Sequence, residues 1–439
     1  MDRERKVAGA YEPKYLILIL VSVVVLQVNK FFFPKGGTER YYFALSSALE
    51  RRGHTVVPFA MSHPRNLRSK WDEFFVPQQD YDARGWRERW NTATRFVHNS
   101  QAADRLRALI RTIRPDVAHL HNIYHQITPA ILDVLRAYDV PTVMTLHDYK
   151  LICPNYSLFT AGAYCYRCRG GRFYHATLQR CGRGTFAGGA LLTFEAYWQR
   201  ARGAYNGVFR FVAPSRSLRD RFIDAGFPGR RVVYVPPFIP RREMLRDAGA
   251  CAGGKTPETR TGDYVVYAGR LSAEKGVETL IEAIARVDDL ELIVCGEGPL
   301  RGRLEERART CARGRVHFTG HLERGALEAI VRDSCASVLP TRSPENAPYA
   351  VLEASAAGVP VIVSNMGGLP EMARVVAGSI FENGNVDDLV RKLTEVVGNP
   401  RRERARVAAA REQALAYFGE RRHIDAVESI YAGAVEARR

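Results

Sequence analysis

Two series of short apolar runs, each run followed by an amphipathic stretch, constrain the fold of this chain more than any other feature. The first series begins at Val23–Val28 and the second at Tyr264–Ala268. Such alternation is typical of parallel sheets covered by helices. A proline- and glycine-rich stretch at 237–262 separates the two series and is interpreted as a linker. We therefore predict an α/β protein with two Rossmann-like, doubly wound domains, 1–236 and 263–400, that face each other across a cleft.

The two ends of the chain lie outside these two alternating series. Residues 401–439 are interpreted as helices. Behind the basic residues 1–6, the segment Tyr15–Val28 is apolar over 14 residues, which is too short for a bilayer span of about 20 residues. It also lacks a small-residue cleavage site. We interpret it as an apolar extension that leads into a buried strand, and a weak interfacial anchor is the alternative.

The charge distribution indicates which partners to expect. The 439-residue chain carries a formal net charge of +17, and its 46% of apolar residues excludes a disordered chain. Between Cys165 and Arg231 there are 13 arginines, no lysine and three acidic residues. A face this positive suits anionic lipid head groups or a diphosphate-bearing acceptor. A solvated surface with arginine-rich codon usage is the alternative, and no nucleic-acid partner is expected.

A cysteine- and arginine-rich insertion in the first domain is predicted at about 150–205. Insertions this long within a compact domain are usually functional loops. Four of the eight cysteines of the chain lie in it, at Cys153, Cys165, Cys168 and Cys181. Their spacing can supply four thiolates to a structural zinc ion, but buried free thiols and disulfides are also compatible with it.

Candidate binding residues follow the predicted strands, where open α/β sheets bind their ligands. Gly36-Gly37 lies between the first strand and the first helix, so its backbone N–H groups can approach an anion. His147 follows the strand Thr142–Leu146 and is expected to point into the cleft. Arg270 and Lys275 follow the first strand of the second domain, and their charges match a leaving diphosphate.

The segment from Ser343 to Glu353 is the most specific feature of the sequence. It holds Glu345 and Glu353, eight positions apart, which predicts two carboxylates on one side of a helix. One carboxylate can bind sugar hydroxyls and the other ribose hydroxyls. The N-terminus of the same helix offers N–H groups to a phosphate.

These motifs resemble glycosyltransferase family 4, whose members are nucleotide-sugar-dependent enzymes of the GT-B fold. The similarity lies in PKGGTERYY and TLHDYKLICPN in the first half, then AGRLSAEKG, VCGEGPL, HFTGHL, SPENAPYAVLEASAAGVPVI and GGLPE. It extends over about residues 23–435. One departure is Asn346-Ala347-Pro348, where the family commonly has Gly-Phe-Pro or Gly-Phe-Gly, and this leaves the donor open.

The resemblance implies a role for each site residue. The catalytic candidates are Glu345, which would contact the hydroxyls of the donor sugar, and His147, which would line the reaction centre. The donor-binding candidates are Gly36, Gly37, Arg270, Lys275, Gly296, His321, Leu322, Asn346, Ala347, Pro348, Tyr349 and Glu353. Among these, Glu353 would bind the ribose, Arg270 and Lys275 the diphosphate, and the segment with His321 and Leu322 would lie near the base.

The resemblance further implies retaining transfer without a catalytic metal. We expect a hexose or N-acetylhexosamine to move from a UDP- or GDP-sugar to a lipid-linked or polysaccharide acceptor in cell-surface glycan synthesis. Such a hexosyltransferase would be cytoplasmic and peripheral to the inner face of the cytoplasmic membrane, and its C-terminal helix would return to the first domain.

Three alternatives to this function differ in what they require. A nucleotide-sugar epimerase of the same fold would need no acceptor. A phosphorylase is disfavoured, because no lysine site for pyridoxal phosphate is evident. A non-catalytic basic protein would bind a membrane surface or nucleic acid in a salt-dependent way.

Overall fold

The computed structural model describes residues 22–79, 86–182, 184–240 and 263–438, with the backbone alone for 86–91. The apolar N-terminal extension up to residue 21 and residues 241–262 of the predicted linker lie outside the described residues.

A six-stranded parallel sheet forms the centre of the first domain. The strands of this half are β1 (Val24–Val28), β2 (Thr55–Phe59), β3 (Val117–Leu120), β4 (Thr142–Thr145), β5 (Phe159–Thr160), β6 (Ala163–Tyr164), β7 (Val208–Ala213) and β8 (Val232–Tyr234). The sheet has the order β2-β1-β3-β4-β7-β8, and β5 and β6 form a separate hairpin. Strands β3 and β4 are buried at every position, as expected where helices cover both faces of a parallel sheet.

Helices cover this sheet on both faces. They are α1 (Gly37–Arg51), α2 (Trp86–Val97), α3 (Ser100–Ile113), α4 (Ala130–Ala137), α5 (His175–Leu178), α6 (Phe186–Ala201) and α7 (Arg216–Asp224). Helix α1 forms because Tyr41, Leu45 and Leu49 share one face, which is buried against the sheet. The side chains of Asn99 and Thr185 cap the N-termini of α3 and α6.

The second domain contains a second parallel sheet of six strands. They are β9 (Asp263–Ala268), β10 (Leu290–Cys295), β11 (Val316–Gly320), β12 (Ala336–Leu339), β13 (Val361–Ser364) and β14 (Ser379–Phe381). Their order, β11-β10-β9-β12-β13-β14, is that of a dinucleotide-binding fold with its switch point between β9 and β12. The predicted α/β fold of two doubly wound domains is therefore confirmed. The three-residue edge strand β14 was not predicted.

The helices of the second half pack within the second domain, except for the last, which returns to the first domain. They are α8 (Val277–Ile284), α9 (Arg301–Cys311), α10 (Arg324–Asp333), α11 (Tyr349–Ala356), α12 (Leu369–Val375), α13 (Val386–Val397), α14 (Pro400–Tyr417) and α15 (Glu420–Glu436). Helix α14 packs against α11, α12 and α13, whereas α15 packs on α1, β3, β4 and β7 of the first domain. None of the helices in the described ranges has the length and apolar character needed to cross a bilayer.

Residues 150–205, which we call the cysteine lobe, project from the first domain between β4 and β7. The lobe consists of the β5-β6 hairpin, α5 and α6. A buried ion pair anchors α6 to the residue at which the lobe begins, because Lys150 Nζ lies 2.6 Å from Glu195 Oε2 on α6 and also donates to the carbonyl oxygen of Pro154 at 3.0 Å. His125 Nε2 lies 3.5 Å from the same carboxylate oxygen. The side chains of Lys150 and Glu195 are only 6% and 3% exposed, so this pair is almost fully withdrawn from water.

We predict that Lys150→Met destabilises the protein by about 3–5 kcal/mol, because it leaves the Glu195 carboxylate buried without its cation. Denaturant unfolding checks this, with Arg219→Met as the control. Arg219 pairs with Asp220 on the surface, and its loss should cost less than about 1 kcal/mol. Equal losses in the two variants would contradict the anchoring role of Lys150.

Candidate active site

The carboxyl ends of the two sheets face each other, and three polar contacts join the domains there. Asn346 Nδ2 donates to the carbonyl oxygen of His147 at 2.7 Å. The Glu371 carboxylate accepts hydrogen bonds from the backbone N–H groups of Arg216, at 3.0 Å, and Ser217, at 3.2 Å, at the start of α7. The third contact is an ion pair between Arg40 of α1 and Glu353 of α11.

His147 belongs to a row of hydrogen-bonded side chains behind the cleft. Its Nε2 lies 2.9 Å from His121 Nδ1, and His121 Nε2 lies 2.7 Å from Gln27 Oε1. Since Gln27 Oε1 can only accept a hydrogen bond, the proton of neutral His121 lies on Nε2, and its Nδ1 then accepts a hydrogen bond from His147 Nε2–H. This leaves Nδ1 of His147 as the acceptor nitrogen of a neutral ring.

The histidines of this cluster are neutral. Burial lowers the pKa of His147 to about 3. Burial, together with the nearby rings of His147 and His423, lowers the pKa of His119 to about 3. Neutral imidazole can accept or donate a hydrogen bond but brings no positive charge to the cleft, so cations elsewhere must bind any anionic substrate.

Glu345 and Glu353 do not lie on one helix, and the prediction that they share a helix face was wrong. Helix α11 begins at Tyr349, so Glu345 precedes it in extended backbone that pairs with Gly367. The proline at position 348 precedes the helix and delays its start. Both carboxylates nevertheless face cations of the cleft, Glu345 bound by Lys275 and Glu353 by Arg40.

Two glycines lie in the turn between β13 and α12, and they allow the backbone of Glu345 and Asn346 to approach that turn closely. Gly367 has φ +62°, and a Cβ atom there would lie 2.2 Å from the carbonyl oxygen of Glu345. At Gly368 it would lie 1.9 Å from the carbonyl oxygen of Asn346. A side chain at either position would therefore displace the segment that carries the donor-binding candidates.

Cations from both domains line the cleft. Burial, with the charge of Lys35, lowers the pKa of Lys30 to about 8, while Glu39 opposes this shift. Burial also lowers the pKa of Lys35; Glu39 opposes that shift, and Arg65 and Arg270 add to it. Arg270 of the second domain is exposed. Because its charge contributes to lowering the pKa of Lys35, it lies within electrostatic range of that side chain.

The N-terminus of α1 faces α11. Gly36 and Gly37 are exposed at this helix end, and a Cβ atom on Gly37 would lie 3.9 Å from Tyr349 Cδ2. The guanidinium of Arg40 lies over the Tyr349 ring at 4.7 Å from its centroid. Three of the sequence candidates, Gly36, Gly37 and Tyr349, therefore belong to one wall of the cleft together with Arg40.

The remaining donor-binding candidates lie along the same edge of the second sheet. Ala347 and Pro348 connect Asn346 to α11 and are partly buried. Gly296 follows β10 with φ +140°, and a Cβ atom there would lie 2.0 Å from the carbonyl oxygen of Gly269. His321 and Leu322 follow the edge strand β11, separated from β12 by β9 and β10.

Sequence reasoning missed several residues of the cleft. Arg40 lies one turn after Gly37, and its partner Glu353 is more than 300 positions away, so no local pattern indicated the contact. Glu371 belongs to the GGLPE motif, yet its contact with the start of α7 depends on how the domains meet. Lys30 lies two residues after the end of β1, and this position near a strand end was the one available signal.

The four cysteines of the lobe come together. All are free thiols, and they line one cavity of about 10 Å³, near the lower limit for a single water molecule. Burial raises the pKa of Cys153 to about 11 and, together with the neighbouring thiols, that of Cys168 to about 12. Among the described residues, no group of three or more His, Cys, Asp or Glu side chains is already arranged to hold a metal ion.

Two family models match the chain, one in each domain. Residues 35–243 match Glycosyltransferase Family 4, and residues 254–413 match Glycosyl transferases group 1.

Relatives match across both halves. Over 431 residues, covering 92% of each chain, the protein is 27% identical to a glycogen synthase from Mycobacterium tuberculosis (strain ATCC 25618 / H37Rv). Over 233 residues, it is 33% identical to a GDP-mannose-dependent alpha-(1-6)-phosphatidylinositol monomannoside mannosyltransferase from the same strain. This second match covers 50% of the present chain and 60% of that relative.

Solved structures share the fold. A glycosyltransferase from Rickettsia africae ESF-5 superimposes with a TM-score of 0.66 at 14% identity, covering 95% of this chain and all of that one. Anabaena Alr3699/HepE, solved in complex with UDP and glucose, superimposes with a TM-score of 0.60 at 15% identity, covering 94% of this chain and 99% of that one.

Two facing Rossmann-like domains, with a cleft lined by carboxylates and cations at their strand ends, define the class of GT-B glycosyltransferases. Within that class, the matches over both halves identify the family. The chain is a glycosyltransferase of the family 4 type and is a transferase enzyme.

We predict that the affinity of the cleft for an anion falls as the pH rises through about 8, where Lys30 loses its proton. Between pH 7.5 and 9 the protonated fraction of Lys30 decreases about eightfold, so pyrophosphate binding measured by calorimetry should weaken by up to that factor. Lys30→Met should flatten this profile, whereas Lys392→Met on the surface helix α13 should not. An unchanged profile in Lys30→Met would contradict a role for Lys30.

Proposed function

We propose that this glycosyltransferase moves a hexose or N-acetylhexosamine from a UDP- or GDP-sugar to a lipid-linked or polysaccharide acceptor, with retention at the anomeric carbon. The observation that carries the proposal is the pairing of the two cleft carboxylates with cations, Glu345 with Lys275 and Glu353 with Arg40. A nucleotide sugar offers hydroxyls to both carboxylates and a diphosphate to the cations. It can therefore replace each pair with interactions of the same kind.

Each group of the donor has a matching partner. The diphosphate would bind Arg270, Lys275 and the N–H groups at the start of α11, an eight-residue helix. The ribose hydroxyls would donate to Glu353 and the sugar hydroxyls to Glu345. The segment after β11, with His321 and Leu322, would lie near the base. Both carboxylates are partly buried, so leaving them without hydrogen-bond partners would be costly, and this favours a ligand that supplies hydroxyls.

The reaction would take place on one face of the sugar. The bond between the anomeric carbon and the diphosphate oxygen breaks, and its electron pair stays on that oxygen. The acceptor hydroxyl oxygen bonds to the same face of the carbon, and its proton passes to the departing phosphate oxygen. Arg270 and Lys275 would stabilise the negative charge that develops there, which is the task a metal ion performs in other transferases. Neutral His147 would orient a hydroxyl beside the reacting carbon.

The acceptor is proposed from charge and similarity. The mannosyltransferase relative is named for a phosphatidylinositol acceptor, and the first domain of this chain carries Lys30, Lys35 and Arg65 on its side of the cleft. These cations suit an acceptor with phosphate groups. Such an acceptor would place the enzyme in the cytoplasm at the inner face of the membrane.

We expect thermal stabilisation by one nucleoside diphosphate family among UDP, GDP and ADP, and by its sugars, unaffected by EDTA. Glu353→Ala removes the ribose carboxylate, and a lost charged hydrogen bond of about 1.5–3 kcal/mol predicts roughly 10- to 100-fold weaker binding. The shift is measured against each variant without ligand, since Glu353→Ala also loses its pair with Arg40.

Glu328→Ala is the matched control for this experiment. Glu328 has the same 27% side-chain exposure as Glu353 but pairs with Arg324 along α10. No stabilisation by any nucleotide, or equal stabilisation of Glu353→Ala and Glu328→Ala, would contradict the proposed donor site. Release of free sugar, or its isomerisation, from donor alone would instead favour an epimerase or hydrolase.

We also propose that Cys153, Cys165, Cys168 and Cys181 hold a structural zinc ion. Four sulfur ligands satisfy the tetrahedral preference of zinc, and these four thiols line one small cavity. Side-chain rotation must bring the sulfurs onto the ion, because in the described residues they are not yet arranged as a ligand set. The ion would stabilise the cysteine lobe without taking part in transfer.

Protein purified without chelators should contain about one zinc per chain by elemental analysis, as four thiolates predict. The double variant Cys165→Ser with Cys168→Ser should lose the metal and melt at a lower temperature. Cys311→Ser, at the end of α9, should retain the metal. A folded, zinc-free wild-type protein, or disulfides detected by mass spectrometry, would overturn this proposal.

A further inference from the structure

Exposed apolar side chains are concentrated in the cysteine lobe. Among the described residues, nine large apolar or aromatic side chains are exposed, and eight of them lie between Tyr156 and Trp198. The ninth, Leu67, lies outside the lobe. Isolated exposed apolar residues are common on soluble proteins, but a cluster of this kind marks an interaction surface.

Helix α6 carries the centre of this cluster on its outward side. Phe186, Phe194, Tyr197 and Trp198 are 64%, 57%, 39% and 44% exposed. At 100° per residue they fall within a sector of about 120°. The opposite side of α6 is buried and includes Glu195, which binds Lys150 of the anchor. The helix is therefore apolar toward solvent and fixed by a polar contact from behind.

Helix α5 extends the cluster. Tyr174 and Leu178, which are 46% and 63% exposed, flank α5 at its two ends. A hydrogen bond of 2.8 Å between the hydroxyls of Thr177 and Thr193 joins α5 to α6. We call the six side chains together the aromatic face: Tyr174, Leu178, Phe186, Phe194, Tyr197 and Trp198.

Within the described part of the cysteine lobe, the exposed charged side chains are all cations. Exposed arginines of the lobe are Arg167, Arg169, Arg172, Arg180 and Arg200. Between residues 150 and 205 the sequence has only one acidic residue, Glu195, and it is buried in its pair with Lys150. An apolar face without exposed carboxylates and bordered by arginines is complementary to an anionic lipid bilayer, whose head groups bind the cations while the aromatic rings enter the interface.

We propose that the aromatic face docks this enzyme on an anionic bilayer surface. This inference rests on the proposed function, because it takes the lipid-linked acceptor from there and adds the surface by which the enzyme would reach it. The lobe adjoins the cleft, because Arg342 of the second domain lies 6.0 Å from the ring centroid of Phe159. Lys150 of the anchor follows His147 by three residues. Docking through α5 and α6 would therefore bring the cleft close to the head groups of the lipid acceptor.

The test is sedimentation of the full chain with vesicles of phosphatidylcholine alone or mixed with phosphatidylglycerol in the ratio 7:3. We expect at least tenfold tighter binding to the anionic vesicles and weaker binding in high salt. The double variant F194S/W198S should bind at least tenfold more weakly than wild type. Both side chains are exposed, so the variant should fold, and Leu67→Ser is the matched control on a 48% exposed side chain outside the lobe.

Three results would overturn the proposal. The first is equal binding of the wild type to neutral and anionic vesicles, which would remove the role of the lipid charge. Equal binding by F194S/W198S and wild type would likewise overturn it, because the contact would then lie elsewhere. The third result combines two observations: the wild type does not bind vesicles, and it forms a dimer in analytical ultracentrifugation that F194S/W198S abolishes. The partner of the aromatic face would then be a second copy of the chain. Nucleotide-dependent thermal stabilisation is measured on the same variants. It should persist in F194S/W198S, so a failed membrane contact is distinguished from a failed donor site.

Discussion

The interaction on which the cleft depends is the pairing of carboxylates with cations at the ends of the two sheets. Lys275 neutralises Glu345 within the second domain, and Arg40 of the first domain neutralises Glu353 of the second. Each group alone would be costly to hold in a half-buried cleft. Together they keep two acceptors and two donors in place for a ligand that carries both hydroxyls and phosphates.

Several parts of the fold position these pairs. The glycines after β13 let the Glu345 segment lie against the turn, and α11 begins only at Tyr349, so Glu345 lies on a loop and Glu353 on the helix. Helix α15 returns to the first domain and buries Tyr431 against His119, with 2.6 Å between Oη and Nδ1. This return adds a second connection between the domains, besides the polar contacts in the cleft.

The sequence predicted the strands and the order of motifs well, because alternation of buried strands and amphipathic helices is a local pattern. It also placed Lys275 after β9, and Glu345 and Asn346 after the neighbouring strand β12. It was wrong about the shared helix of the carboxylates, since a proline and an extended turn intervene. Arg40 was missed because its partner is distant in sequence, and the outward aromatic face of α6 requires knowledge of which side of the helix is buried.

The most direct test of the cation–carboxylate account is a crystal structure of the protein with the nucleoside diphosphate that stabilises it best. The account predicts the diphosphate between Arg270, Lys275 and the start of α11, with the ribose hydroxyls on Glu353 and Arg40 displaced from that carboxylate. A nucleotide bound elsewhere, or bound in the cleft with the Arg40–Glu353 pair intact and its ribose turned away, would contradict it.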